Sequence, residues 1–202
     1  MVAIIDYDAG NIKSVEKAVQ SIGMTAKVTR KADEIFSADH VILPGVGAFG
    51  DAMENLKKYD LTGVIKDVAA KNIPFLGICL GQQLLFEASE ESPGVEGLGI
   101  LKGTVKKIPA ANSLKVPNVG WNSLDIINNG RLFKGIDEGS FVYFVHSYYC
   151  SAADRDVVKA TIDYGVTVDA SVESGNVFAA QFHPEKSSDT GLKILENFLQ
   201  VR

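Results

Sequence analysis

Two cysteines in 202 residues, Cys79 and Cys150, are too few for a disulfide framework. Their contexts are unlike a staple, which points to a reducing, cytoplasmic compartment. Histidine is equally sparse. His40, His146 and His183 fall in no H-x-x-x-H or H-E-x-x-H spacing, and C-x-x-C is missing, so no metal site is expected. No apolar run nears the roughly 18 residues of a membrane span. The opening Met1-Val2-Ala3-Ile4-Ile5-Asp6 has no basic region and an apolar stretch too short for a signal peptide. Positive charge is not in excess: a net charge of -5 argues against nucleic acid or an anionic membrane as partner. Repeats, linkers and low-complexity tracts are all missing.

What is present is a core. Hydrophobic residues make up 46% of the chain and charged residues 22%, enough to bury one domain spanning 1–202 without staples. Short apolar runs alternate with amphipathic segments, the pattern of an α/β fold. Strands are expected at Val2–Asp6, Thr25–Thr29, His40–Leu43 and Pro74–Ile78. Helices are expected at Asn11–Ile22, about 49–58, about 61–71 and Leu80–Ser89, the last with Leu84, Leu85 and Ala88 as its core face. Beyond Gly94 the texture becomes that of antiparallel strands, near 104–108, 116–121, 141–149, 157–163, 167–173 and 177–182. Asn128-Asn129-Gly130 and Glu173-Ser174-Gly175-Asn176 are turn signals among them. A helix over 188–201 closes the chain, with Leu192, Leu195, Phe198 and Leu199 facing inward.

Gly77-Ile78-Cys79-Leu80-Gly81 sits between an expected strand and an expected helix, in the form of a nucleophile elbow. The turn is tight, and side chains two residues either side of the nucleophile would collide, which Gly77 and Gly81 prevent. Free N–H groups at a helix start favour a thiolate. The alternative is a buried structural cysteine in a glycine-rich turn; the two glycines, with Gln82 and Gln83 next, weigh against it. Cys150 follows an aromatic strand without glycine neighbours and reads as packing.

In Gln181-Phe182-His183-Pro184-Glu185-Lys186, Pro184 biases His183 toward extended chain. Residues i and i+2 then share a side, so Glu185 can hold one ring nitrogen of His183 while the other serves a thiol. Alone, this tripeptide is more often a strand-end turn with exposed polar groups; its weight comes from Cys79. His40 reads as an exposed or satisfied histidine, and His146 as a sheet residue that could border a site. Pro44-Gly45-Val46-Gly47 links a strand to a helix, with two glycines that let main-chain N–H groups face a ligand. A phosphate cradle is the rival reading, but no G-K-[ST] follows. An oxyanion hole built from an N–H of this loop and that of Leu80 fits better. The permissive backbone of Gly45 and Gly47 around Val46 also lets one peptide unit aim either its carbonyl or its N–H into the site.

The set P-G-V-G, G-I-C-L-G-Q-Q-L-L-F-E and F-H-P-E-K-S resembles the class I (triad) glutamine amidotransferases. D-Y-D-A-G-N-I-K-S-V, P-G-V-G-A-F-G-D-A-M, P-N-V-G-W-N and Y-F-V-H-S-Y-Y narrow the resemblance to the branch that feeds a cyclase in histidine biosynthesis, and it runs over nearly the whole chain. It implies a flavodoxin-like, mostly parallel sheet flanked by helices, with a small antiparallel extension. It implies L-glutamine as substrate, a (β/α)₈-barrel cyclase as heterodimer partner, and no cofactor. The triad would be Cys79, His183 and Glu185. Gly47, Gln83 and Glu91 would contact glutamine, and His146, Ser147 and Tyr148 would hold its amino-acid end. Asn11, Trp121, Asn122, Tyr143 and Lys186 would lie at or near the partner interface. The alternatives are a glutaminase feeding another synthase, a Cys-His peptide hydrolase, and a non-catalytic interaction subunit; the last would ordinarily lack a triad member, and none is missing here.

Overall fold

A computed structural model describes residues 1–110, 114–128 and 130–202. The first half alternates as expected: β1 (Val2–Ile5), α1 (Ile12–Ser21), β2 (Ala26–Thr29), α2 (Ala32–Phe36), β3 (His40–Leu43), α3 (Phe49–Lys58), α4 (Leu61–Ala70), β4 (Phe75–Ile78) and α5 (Leu80–Leu84). The second half is mostly strand: β5 (Ala88–Ser89), β6 (Gly103–Lys107), β7 (Asn118–Ser123), β8 (Asp125–Ile126), β9 (Phe141–His146), β10 (Tyr148–Ala152), β11 (Val158–Asp163), β12 (Thr167–Ser174) and β13 (Val177–Ala180), before α6 (Ser188–Leu199).

One eight-stranded sheet runs β2-β1-β3-β4-β13-β12-β11-β8. Pairings from β2 through β4 to β13 are parallel, and those from β13 to β8 are antiparallel. Strands β1, β3, β4 and β13 are buried at every residue, because helices cover both faces. Ala3, Ile5, Val41, Leu43 and Phe75 pack with α3, α4 and α5 on one side; Val2, Ile4, Ile42, Leu76 and Ile78 pack with α1 and α6 on the other. Two small sheets stand apart, β10-β6-β5 and the antiparallel ribbon β7-β9.

Several expectations need correction. The helix from Leu80 stops at Leu84, and Ala88 is exposed in a short strand. The carbonyls that a longer helix would use are taken by the following loop: Leu98 N–H donates to Leu84 O, and Ile100 and Leu101 N–H both donate to Leu85 O, at 2.8–2.9 Å. The expected strand 141–149 is two strands in different sheets, broken at Ser147, and the second extends to Ala152. The 177–182 segment is parallel to β4 on one side, so its pairing is not wholly antiparallel. On α6 it is Ile194 with Leu195 and Phe198 that is buried, while Leu192 and Leu199 are half-buried. Helix α2 was not expected at all. Of the Asn128-Asn129-Gly130 turn, Asn129 lies outside the described residues.

Candidate active site

Cys79 follows β4 directly, with φ 55° and ψ −110°, a conformation that β-carbon-bearing residues avoid. Its N–H donates to Ala180 O at 2.7 Å, which ties the turn to β13. Glycine is required on both sides, for two different reasons. A Cβ on Gly77 would sit 2.7 Å from Gly81 O, inside the turn itself. A Cβ on Gly81 would sit 2.0 Å from Leu43 O, so this glycine is demanded by the neighbouring strand β3 rather than by the turn.

His183 and Glu185 meet as their i, i+2 spacing suggests. His183 Nδ1 lies 2.7 Å from Glu185 Oε1, with both side chains shielded (1% and 0% exposed). The backbone around them is pinned: His183 N–H donates to Tyr143 O, Tyr143 N–H donates to Ser187 Oγ, and Ser187 Oγ donates to His183 O. Glu185 Oε1 takes a second bond, from Asn11 Nδ2 at 2.5 Å. Asn11 caps α1 in the left-handed region, which asparagine tolerates well. With Nδ1 committed to the carboxylate, His183 Nε2 is buried and unpartnered. Burial pulls the imidazole pKa down; the Cys79 sulfur and the Glu185 carboxylate together outweigh that and raise it to about 9. The resting thiol points instead toward Val145 O, at 3.9 Å, and receives the Gln181 side-chain amide at 3.7 Å.

A cavity of about 270 Å³ opens in front of the sulfur. Val46, Gly47, Leu80, Gln83 and Glu91 line it together with Val145, His146, Ser147 and Tyr148. Gly45 is not in the wall; it packs behind it, where a Cβ would lie 2.5 Å from the Tyr7 hydroxyl. Glu91 is held by accepting Phe49 N–H at 2.8 Å, at the start of α3. Gln83 Nε2 donates to Tyr148 O and to Gln181 Oε1, both at 3.0 Å.

His146 is a buried sheet residue that also borders the cavity. Its Nδ1 lies 2.9 Å from Tyr148 O, a pure acceptor, so Nδ1 carries the proton and Nε2 accepts from Asn118 Nδ2 at 3.2 Å. Burial, with the His183 charge in support, holds its pKa down at about 4 against the pull of the Tyr148 carbonyl. His40 lies away from the site, buried, with Nε2 on Val201 O. Cys150 is fully buried, and burial pushes its thiol pKa up.

The Pro44–Gly47 loop rests with a carbonyl against the start of α5. Leu80 N–H is occupied by Gly45 O at 3.3 Å, so the peptide unit after Gly45 turns its carbonyl toward the site. Tyr7 anchors the loop from below by donating to Pro44 O at 2.8 Å.

The proposed interface residues are drawn together around the triad, but not alike. Trp121 stacks edge-on against Tyr143 on the β7-β9 ribbon, whose outer face also exposes Val119 and Phe141 (57% each). Lys186 is exposed, next to Glu185 in the chain, and Asn122 donates to Asn118 Oδ1. Asn11 is engaged with Glu185 rather than held free for a partner. Sequence reasoning assigned no role to Gln181, Ser187, Asn118 or Tyr7; the first two lie within or beside the motif that flagged His183.

The sequence profile of the family Glutamine amidotransferase class-I matches residues 3–201. The chain is 50% identical, over 98% of its length and 93% of the relative's, to the imidazole glycerol phosphate synthase subunit HisH of Moorella thermoacetica. It is 52% identical, over 98% and 97%, to the subunit of that name from Caldanaerobacter subterraneus subsp. tengcongensis. Among solved structures, a glutamine amidotransferase superposes with a TM-score of 0.76 at 21% identity, over 98% of this chain and 99% of that one. PurLQS from Thermotoga maritima gives 0.73 at 20% identity, over 98% and 96%. These last two bear on the fold alone.

Proposed function

The chain belongs to the class I glutamine amidotransferases, and from that premise we propose that it is the glutaminase subunit of an imidazole glycerol phosphate synthase, acting through Cys79, His183 and Glu185. The observation that carries this is the strained Cys79 at the floor of a cavity, with the buried His183–Glu185 pair behind it.

The Cys79 thiolate attacks the side-chain carbonyl carbon of L-glutamine. The oxyanion forms against main-chain N–H groups, and the imidazolium of His183 gives its Nε2 proton to the departing nitrogen, which leaves as ammonia. His183 then takes a proton from water, the hydroxide cleaves the thioester, and glutamate departs with the thiolate restored. Gln83, Glu91 and Gly47 bind the substrate, with His146, Ser147 and Tyr148 across the cavity. Residues 1–202 act as one glutaminase domain in the cytoplasm; among the described residues no helix is long and apolar enough to cross a membrane.

Ammonia protonates in bulk water, so the site needs an acceptor close by. The apolar outer face of the β7-β9 ribbon, with Trp121 and Tyr143, supports a docking surface for a (β/α)₈-barrel cyclase, with Asn122 and Lys186 at its edge. Glutamate release, measured for the chain alone and with the cyclase, tests this reading. Cys79→Ala should abolish release while leaving complex formation intact; activity retained in that variant would overturn the assignment. Cys150→Ala should stay close to the parent.

A further inference from the structure

We propose that Gln181 is a further catalytic residue, whose side-chain amide donates an N–H to Cys79 Sγ and holds the sulfur as a thiolate. The inference rests on Cys79 being the nucleophile. The direction of the contact follows from a chain of bonds whose polarity is fixed. Tyr148 O can only accept, so the group of Gln83 that lies 3.0 Å from it is the NH₂. The second N–H of that nitrogen reaches Gln181, which must therefore present its oxygen, also at 3.0 Å. The remaining end of Gln181 is its NH₂, and that end lies 3.7 Å from Cys79 Sγ. A flip of Gln181 would set two NH₂ groups against each other and turn its oxygen on the sulfur.

The amide is also held in place. Gln181 is fully buried, its main-chain N–H donates to Ala170 O at 2.9 Å, and it directly follows β13, the strand to which Cys79 is tied. A dipole fixed in this way needs no reorganisation when charge gathers on sulfur. It complements His183: the imidazolium supplies a charge that titrates, the amide a dipole that does not. The same bonds leave Gln83 Oε1 as the end of that side chain available to the cavity, suited to an N–H of the substrate.

The test is the alkylation rate of Cys79 by iodoacetamide on the full chain, followed by mass from about pH 5 to pH 10. Gln181→Met keeps the length and removes the donor. Loss of one hydrogen bond to a charged acceptor, at this length, lowers the thiolate fraction by about tenfold. A more basic thiolate is also more nucleophilic, by about threefold for that change on a Brønsted slope of about 0.4–0.5. The curves should therefore cross: the variant about threefold slower where thiolate is scarce and about threefold faster on the alkaline plateau. Superposed curves, or a uniform scaling of the kind that disturbed packing produces, overturn the proposal. Cys79→Ala separates the two levels. If that variant still hydrolyses glutamine, the nucleophile is misassigned; if it is dead while the Met variant's curve superposes on the parent's, only the role of Gln181 fails. A second measurement needs no change at Gln181. Its side-chain amide protons, assigned by NMR in the parent chain, should shift as the thiol titrates and lose that response in Cys79→Ala. An unmoved signal in the parent overturns the proposal even if Gln181→Met does not fold.

Discussion

Replacing Glu185 by glutamine should slow glutamine hydrolysis by only about 10- to 100-fold, and the reason is Asn11. A glutamine at 185 can meet His183 Nδ1 with either end of its amide. Oxygen toward the ring keeps the proton on Nδ1 and leaves Nε2 free for the thiol. Nitrogen toward the ring reverses the tautomer, an error that costs about 10,000-fold in comparable triads. Asn11 Nδ2 donates to the same position, 2.5 Å from Oε1, and so requires an acceptor there. The oxygen is held toward His183, and what is lost is only the surplus of a charged over a neutral hydrogen bond, about 1–2 kcal/mol or 5- to 30-fold, with some further loss of imidazolium stabilisation. The amide nitrogen then falls at the buried, unpartnered Oε2 position, which should lower stability by about 1–3 kcal/mol. Asn11→Asp, added to Glu185→Gln, reverses the requirement: a carboxylate at 11 calls for a donor, turns the new amide round and enforces the wrong tautomer. Glutamate release at saturating glutamine, with the cyclase present, should fall toward the 10,000-fold range in the double variant. A double variant no slower than Glu185→Gln, or a single variant already at that level, refutes the reasoning.

Further outcomes follow from the resting geometry. With Leu80 N–H occupied by Gly45 O, the isolated chain should run about 100- to 1,000-fold below its complex with the cyclase, in which the peptide unit after Gly45 would turn its N–H to the oxyanion, and Val46→Pro should remove most of that stimulation; equal rates alone and in complex would exclude such a turn. On the proposed mechanism His183 must be protonated to release ammonia, so kcat/KM should fall as pH rises through about 9, which a pH–rate profile will reveal. His146, held neutral with its pKa at about 4, binds its proton in the unfolded chain first. Stability should therefore decline as pH falls from about 6.5 to 4, by about 2–3 kcal/mol, and urea unfolding of His146→Gln should be flatter across that window. Gly81→Ala drives a Cβ to 2.0 Å from a strand carbonyl and should cost at least about 3 kcal/mol, a drop in Tm of about 6–12 °C by calorimetry; Gly63→Ala, with nothing within 4 Å, should be neutral or stabilising.

The sheet was legible because four of its strands are buried on both faces and therefore read as unbroken apolar runs. Cys79 and the His183–Glu185 pair were legible because glycine spacing and the alternation of extended chain are local properties. What escaped was set by distant backbone. Nothing within Leu80–Ser89 says that the carbonyls of Leu84 and Leu85 will be claimed from residues 98–101. Ser147 carries no breaking signal; the ribbon and the three-stranded sheet simply part there. Asn11 was placed at the interface by its motif, while its bond to a carboxylate 174 residues away is invisible in the chain. Gln181 escaped likewise, since its role depends on Gln83 and Cys79, which lie 98 and 102 residues from it.

Those same separations bear on how the protein is made. Cys79 emerges from the ribosome well before Gln181, His183 and Glu185, and β4 has no partner on one side until β13 has been synthesised. A nascent chain stopped short of residue 177 leaves one edge of β4, an apolar strand, unpaired and carries the proposed nucleophile without its proposed base. Closing loops of about 100 residues is slow relative to helix formation, so the contacts of Cys79 with residues 181–185 should form after the local helices. Truncated or half-folded chains, lacking the proposed base, should release no glutamate from glutamine.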